Sequence, residues 1–155
     1  MSRLLECILH SAHARLLQRG RPLGLSCKVY FDPQSIQLVA RYGFISGNVV
    51  RQMLTIRFLY VKPDLRGFGF GSRLLYDFGL LAQTLGAKHV FLEDASSRHG
   101  QTHNIYARLG LRLVDPDSCY LSGAIHVMLR RARAYLRTKR AQWLSPKRRT
   151  RKRCE

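Results

Sequence analysis

A glycine-rich stretch between a predicted strand and a predicted helix constrains this chain more than any other feature. The stretch "VKPDLRGFGFGSRLL" covers residues 61–75 and places Gly67, Gly69 and Gly71 at alternate positions. The run "MLTIRFLYV" before it is rich in β-branched and aromatic residues, which predicts a strand. Apolar residues after it recur at helical spacing as far as Gly86. A strand that turns through glycines into a helix can present backbone N–H groups to an anion.

The glycines alone leave two interpretations open. A Walker loop requires a lysine after its last glycine, and Gly71 is followed by Ser72 and Arg73. The dinucleotide-binding pattern GxGxxG does not occur here either. Two interpretations of the loop therefore remain. It is either an anion site at the helix N-terminus, with Arg66 as a nearby positive charge, or a flexible turn that binds nothing.

The rest of the chain predicts a mixed fold. Residues 2–19 have the periodicity of an amphipathic helix, and "LSCKVYF", "IQLVARYGFI" and "MLTIRFLYV" predict a three-stranded antiparallel meander. We place its turns at Asp32-Pro33 and at Ser46-Gly47-Asn48. "KHVFLED" and "LRLVD" predict strands on either side of a helix in "GQTHNIYARLG", and "IHVML" predicts a last strand. The order from residue 53 onward implies a right-handed parallel crossover.

Charge is concentrated at the C-terminal end. The formal net charge is +18, and residues 130–155 hold 12 Lys/Arg and one acid. We therefore assign residues 1–129 to a folded domain and residues 130–155 to a basic C-terminal helix or tail. Such a segment favours an acidic partner, for example nucleic acid.

Cysteine usage and hydropathy indicate an intracellular, soluble protein. The four cysteines are far apart and form no CxxC pair, so we expect reduced thiols rather than a disulfide framework. No run approaches the roughly 18 apolar residues that cross a bilayer.

The surroundings of the glycine loop carry a family resemblance. "TIRFLYVKPDLRGFGFGSRLLYDFGLLAQTLGAKHVFLED" resembles the acetyl-CoA-binding motif of the GNAT family of N-acetyltransferases. Val61 and Pro63 match its V-x-P element, and the R-x-x-G-x-G element falls on Arg66, Gly69 and Gly71. Further on, "NIYARLGLRLVD" is similar to the family's next segment, with Tyr106 four residues before Gly110. The resemblance covers about residues 25–129.

This resemblance implies a GNAT fold, that is, a mixed α/β (α+β) and mostly antiparallel central sheet with flanking helices, and acetyl-CoA as the cofactor. Backbone N–H groups from Leu65 to Ser72 would hold its pyrophosphate, and diverging strands ending near Val61 and Val90 would admit its pantetheine arm. The implied cofactor-binding residues are Val61, Leu65, Arg66, Gly67, Phe68, Gly69, Phe70, Gly71 and Ser72.

Tyr106 is the candidate catalytic acid, because relatives use a tyrosine at its position to protonate the CoA sulfur. Its alternative role is an aromatic packing residue. Glu93 and Asp94, at the end of the next predicted strand, are the candidate bases, followed by His99 and His103. His99 takes the place where relatives often carry an asparagine, so the substrate side departs from the family pattern. The two histidines lack a third ligand, and we expect no metal site.

The basic tail resembles a nuclear-localisation signal. The residues concerned are Lys139, Arg140, Lys147, Arg148, Arg149, Arg151, Lys152 and Arg153. Nucleic-acid retention, a membrane-surface helix and a solvated tail remain alternatives. The sequence thus predicts an N-acetyltransferase acting on a protein lysine or N-terminal amine in the nucleus. The alternative is a non-catalytic GNAT-like module that binds nucleic acid or a nuclear protein through its tail.

Overall fold

A computed structural model of the chain describes residues 27–32, 35–94 and 104–144. Three predicted features lie outside these residues: the helix at 2–19, the pair His99 and His103, and the basic run from Lys147 to Arg153.

The described residues form one sheet, a 3-10 turn and three α-helices. The strands are β1 (Lys28–Asp32), β2 (Ser35–Ala40), β3 (Gly43–Val50), β4 (Met53–Val61), β5 (His89–Glu93), β6 (Arg112–Leu113) and β7 (Tyr120–Ala124). The helices are the 3-10 turn Pro63–Leu65, α1 (Phe70–Thr84), α2 (Ile105–Arg108) and α3 (Ile125–Leu144).

The sheet has the order β1-β2-β3-β4-β5-β7-β6. Only the β4–β5 pair is parallel; every other neighbouring pair in the described sheet is antiparallel. Helix α1 makes the connection between β4 and β5, because two parallel neighbours need a crossover rather than a hairpin. The predicted mixed, mostly antiparallel sheet and its parallel crossover are confirmed.

The predicted meander was one strand short. "IQLVARYGFI" forms both β2 and β3, which are joined by a turn at Arg41 and Tyr42. The predicted turn at Ser46-Gly47-Asn48 lies inside β3 instead. A Cβ at Gly47 would lie 2.1 Å from the carbonyl oxygen of Thr55, so glycine is needed for the close approach of β4 and not for a turn.

The true turn between β3 and β4 is formed by Arg51 and Gln52, with φ values of 47° and 67°. Two-residue hairpin turns with positive φ usually carry Asn or Gly, so this turn has no recognisable sequence pattern.

Strand β4 pairs with β3 along its whole length, but with β5 over its first half only. Ser46 pairs with Phe58 and Gly47 with Ile56, which leaves Arg57 as an extra residue in a β-bulge. Strand β5 pairs with β4 only from Met53 to Ile56, where Ile56 faces Leu92. Within the described residues, β4 and β5 therefore separate beyond the pair of Ile56 and Leu92. Strand β4 ends at Val61 as expected, whereas β5, which we expected to end near Val90, continues to Glu93, and Val90 pairs with Leu54 in the buried core.

Helix α1 buries the apolar face that the sequence predicts. Leu74, Leu75, Phe78 and Leu81 are at most 1% exposed, and Gly86 follows the helix with a φ of 89°. Gly79 lies on the face of α1 that contacts α3, where an added Cβ would lie 3.0 Å from Cδ2 of Leu129.

The predicted last strand "IHVML" is wrong. These residues begin helix α3, because Tyr120–Ala124 already supplies β7 and the buried residues that follow have helical spacing. Those residues are Ile125, Met128, Leu129 and Ala132. The assigned boundary between residues 129 and 130 thus falls inside one continuous helix. Within the described ranges, no helix is both long and apolar enough to cross a membrane.

Candidate active site

The glycine loop lies between the end of β4 and the first turn of α1. Gly67 and Gly69 have φ values of 81° and 92°, which side chains other than glycine rarely adopt. Gly69 is the N-cap of α1, and the amide of Arg73 donates the first helical hydrogen bond to its carbonyl at 3.0 Å. The amides of Gly71 and Ser72 precede this bond, so they point out of the helix N-terminus.

Two contacts hold the loop in place. Nε of Arg66 donates to the carbonyl oxygen of Val61 at 3.0 Å, which ties the loop back to the end of β4. The ring of Phe70 stacks on Tyr42 with centroids 4.5 Å apart. Phe70 thus packs beneath the loop, whereas Phe68 is 51% exposed.

A polar cluster of Arg73, Asp77 and Tyr42 lies at the start of α1. Nε of Arg73 lies 2.6 Å from Oδ2 of Asp77, in a pair that is mostly buried. Burial raises the pKa of Asp77 even though Arg73 opposes the shift. Tyr42 is next to this pair, and burial raises its pKa, with Cys27 as the next cause. Burial also raises the pKa of the Cys27 thiol, so Cys27 is a packing residue rather than a reactive thiolate.

A cavity of about 790 Å³ opens beside the loop. Its lining residues come from β4, the loop, the end of β5, α2 and α3. They are Leu59, Val61, Leu65, Arg66, Gly67, Gly69, Gly71, Ser72, Asp94, Asn104, Ile105, Tyr106, Arg108, Tyr135, Thr138 and Lys139. The structure thus brings seven of the nine predicted cofactor-binding residues to one cavity; of these nine described residues, Phe68 and Phe70 do not line it.

Tyr106 lies in this cavity on the first turn of α2. Its amide donates to Oδ1 of Asn104, the N-cap residue, at 2.8 Å. Burial raises the pKa of Tyr106 to about 12, and the charge of Asp94 adds to the shift. The phenol therefore keeps its proton at neutral pH and can donate a hydrogen bond into the cavity.

The structure separates the two candidate bases. Asp94 is 3% exposed, lines the cavity and accepts a hydrogen bond from the side-chain amide of Asn104. Its own amide donates to the carbonyl of Cys119 at 2.8 Å. Glu93 is exposed, accepts from Sγ of Cys119 at 3.7 Å and is not among the lining residues. Asp94, and not Glu93, is therefore the carboxylate that shares the cavity with Tyr106.

Sequence reasoning missed the part of the cavity wall that α3 supplies. Tyr135, Thr138 and Lys139 line it, although the sequence assigned Lys139 with Arg140 to targeting. The (i,i+4) spacing of Tyr135 and Lys139 could have placed both on one helix face. Nothing in the local pattern, however, connects that face with the glycine loop.

Comparison with known proteins agrees with this geometry. Residues 42–111 match the model of the acetyltransferase (GNAT) family. The structure of nourseothricin acetyltransferase is 26% identical, with a TM-score of 0.52 over 63% of this chain and 70% of that one. A comparison with curated protein sequences found no significant match.

Two further solved structures share the fold at lower identity. A Bacillus subtilis acetyltransferase in complex with CoA is 17% identical, with a TM-score of 0.51 over 64% of this chain and 98% of that one. A mutant AtaT toxin bound to acetyl-CoA and the C-terminus of the antitoxin AtaR is 12% identical, with a TM-score of 0.52 over 68% and 96%. The matched region, the strand order and the glycine loop agree: residues 42–111 match the GNAT acetyltransferase domain, and the described sheet shares the fold of these acetyltransferases.

Proposed function

We propose that the chain transfers the acetyl group of acetyl-CoA to an amine, and that the acceptor is a protein lysine or N-terminal amine. One observation carries the proposal: a single cavity is lined both by the glycine loop and by the protonated phenol of Tyr106. CoA or acetyl-CoA bound to proteins of the same fold supports the assignment of the cofactor.

The residues present suit such a ligand. The amides of Gly71 and Ser72 and the positive end of α1 would hold the pyrophosphate. A Cβ at Gly71 would lie 3.0 Å from Cδ1 of Ile105, so glycine keeps the passage between loop and α2 open. The edge of β4 beyond Ile56 is not paired with β5 and could bind an extended pantetheine arm through backbone hydrogen bonds.

Acetyl-CoA would supply an activated acetyl thioester, and the protein would position it and handle two protons. Tyr106 would donate its Oη proton to the departing thiolate, since its raised pKa keeps the phenol protonated. Asp94, held by Asn104, would accept the proton of the attacking amine. Glu93 has no part in this scheme because it does not line the cavity.

The acceptor is assigned from charge. Helix α3, which supplies Tyr135, Thr138 and Lys139 to the cavity wall, also carries five exposed arginines: Arg130, Arg131, Arg133, Arg137 and Arg140. This surface attracts acidic macromolecules and, with the net charge of +18, repels polycationic small amines.

The proposal is tested by titrating the protein with acetyl-CoA in a calorimeter and by mass-spectrometric detection of acetylated peptides and small amines. We expect binding, and transfer to peptide amines. Gly69→Asp should abolish both, because it adds a negative charge and a side chain at a φ of 92°. Binding without transfer to any acceptor would favour the non-catalytic module, and transfer to small amines alone would overturn the protein acceptor.

We also propose that the basic run at residues 147–153 directs the protein to the nucleus. A deletion that tests this begins at residue 145, after α3, because one that reached back as far as residue 139 would remove lining residues from the cavity wall. A fluorescent fusion that lacks residues 145–155 should leave the nucleus while its affinity for acetyl-CoA stays unchanged. An unaltered distribution would contradict the targeting role.

A further inference from the structure

We propose that the basic helix α3 contributes a phosphate-binding subsite to the cofactor cavity, with Lys139 as the anion ligand and Tyr135 as the residue that positions it. This inference rests on the proposed function, since it specifies which side chains recognise the charged end of the cofactor. It moves Lys139 from the predicted targeting signal to the active site.

The first argument is contact between α3 and the glycine loop. A Cβ at Gly69 would lie 3.5 Å from Cγ of Lys139 and 3.6 Å from Cε1 of Tyr135. These are ordinary van der Waals distances, so the two side chains of α3 lie directly against the N-cap of α1. Both also line the cavity, together with Thr138. Lys139 and two residues of the first turn of α1, Gly71 and Ser72, therefore line the same cavity.

The second argument is an excess of positive charge in that space. Cζ of Arg108 lies 4.8 Å from the centroid of the Tyr135 ring, and Nζ of Lys139 lies 5.7 Å from the same centroid. Both distances allow cation–π attraction, so the ring of Tyr135 contacts two cations. Among the lining residues Arg108, Lys139 and Arg66 are basic, and Asp94 is the acid. A bound phosphate would form a charge-assisted hydrogen bond with the ammonium of Lys139.

The third argument is the contrast with the next residue. Arg140 follows Lys139 on the same helix, but it is exposed and does not line the cavity. The other exposed arginines of α3 likewise lie outside the lining set. The helix thus separates one cation that faces the cofactor cavity from several that face solvent, and Arg140 provides a matched control of equal charge.

Acetyl-CoA offers two sources of this anion, the pyrophosphate and the 3′-phosphate. Both are phosphate groups that a lysine ammonium recognises as a point charge. A ligand that lacks the 3′-phosphate distinguishes them.

The experiment measures the dissociation constants of CoA and of 3′-dephospho-CoA by calorimetry. The full chain, Lys139→Met and Arg140→Met are compared at the same ionic strength. Lys139→Met should weaken CoA binding about 10-fold, the usual loss for a hydrogen bond to a charged group. Arg140→Met should change it less than about twofold, because exposed charges at a distance are screened. If the loss persists with 3′-dephospho-CoA, Lys139 binds the pyrophosphate; if it disappears, Lys139 binds the 3′-phosphate.

Tyr135 is tested by a conservative pair. Tyr135→Phe keeps the ring that Lys139 and Arg108 share and should retain CoA affinity. Tyr135→Leu removes the ring and should weaken CoA binding without lowering the unfolding temperature of the ligand-free chain, whereas a purely structural role would lower that temperature and leave CoA affinity unchanged. Circular dichroism melts of all four variants separate misfolding from loss of the ligand contact.

The outcomes distinguish this inference from the function on which it rests. Absence of CoA binding by the unaltered chain would overturn both. CoA binding that Lys139→Met and Arg140→Met weaken equally, or that neither weakens, would overturn the subsite alone and leave the acetyltransferase assignment standing.

Discussion

The side-chain amide of Asn104 donates a hydrogen bond to the carboxylate of Asp94, which joins the start of α2 to the end of β5. The same asparagine accepts from the amide of Tyr106 at 2.8 Å, so one residue sets the positions of both groups that we assign to proton transfer. In this chain Asn104 lies between the proposed acid and base in the described structure.

Replacement of Asn104 should therefore affect both stability and turnover. Asn104→Ala removes an N-cap, which costs about 1 kcal/mol of unfolding free energy, and frees the Asp94 carboxylate. Asn104→Asp keeps a capping side chain but places a second carboxylate beside Asp94. We expect urea denaturation to show a loss in both variants, from the missing cap in Ala and from repulsion between the two carboxylates in Asp, and kcat to fall in both. Equal kcat in Asn104→Asp and the unaltered chain would contradict the role of the Asn104–Asp94 bond.

The raised pKa of Tyr106 predicts that kcat declines at a higher pH than an ordinary tyrosine would allow. Tyrosine normally ionises near pH 10, whereas burial and Asp94 raise this pKa to about 12. The proposed acid stays protonated up to that pH, so kcat should not decline with an apparent pKa near 10. Tyr106→Phe should lower kcat about 100-fold or more. A wild-type kcat that halves near pH 10, or an active Phe variant, would contradict the assignment.

The same shift predicts how stability depends on pH. The pKa of Tyr106 is higher in the folded chain than in the unfolded chain, so the folded state holds its proton more tightly. This contribution is complete below about pH 10 and is lost as the pH rises toward 12. The difference in unfolding free energy between the unaltered chain and Tyr106→Phe should shift over that interval in favour of Phe. A difference that does not change with pH would count against a buried phenol.

Two glycines of the loop should respond in opposite ways to alanine. Gly67 has a φ of 81° and no atom within 4 Å of an added Cβ, so Gly67→Ala should cost about 1–2 kcal/mol in backbone strain. Gly71 lies in α1 without positive φ, and alanine there gains helix propensity while its methyl group meets Ile105. We expect Gly71→Ala to unfold no earlier than the unaltered chain and to bind acetyl-CoA more weakly. Unchanged affinity would show that the passage beside Ile105 is wider than the structure indicates.

Removal of one partner of the Arg73–Asp77 pair should lower stability more than replacement of both partners by apolar residues. Asp77→Ala leaves a largely buried guanidinium without its carboxylate, a loss of about 3 kcal/mol. The double variant Arg73→Met with Asp77→Met removes both charges and should recover most of that stability. Thermal unfolding of the three proteins tests this, and a double variant no more stable than Asp77→Ala would disprove it.

Local signals were sufficient for the centre of the molecule. The strand, loop, helix and strand from Met53 to Glu93 follow from hydrophobic periodicity and from glycines at the ends of α1, and the structure reproduces them. Seven of the nine predicted cofactor-binding residues line one cavity, because they follow one another between the end of β4 and the first turn of α1.

The errors arose where tertiary contacts override local pattern. Gly47 looked like a turn residue, but it allows the carbonyl of Thr55 to approach. Arg51 and Gln52 form a hairpin turn with residues that rarely adopt positive φ. Lys139 reaches the glycine loop only because α3 packs along α1, a relationship that no spacing in the sequence encodes.

Single-turnover transfer of a labelled acetyl group from acetyl-CoA tests the proposed acetyltransferase activity, with the purified full chain in excess and a panel of peptides with free lysine and N-terminal amines. We predict a labelled peptide that appears in one exponential phase, with a rate that Tyr106→Phe reduces about 100-fold. Acetyl-CoA that binds but is consumed no faster than in the absence of protein, with every acceptor, would contradict the account.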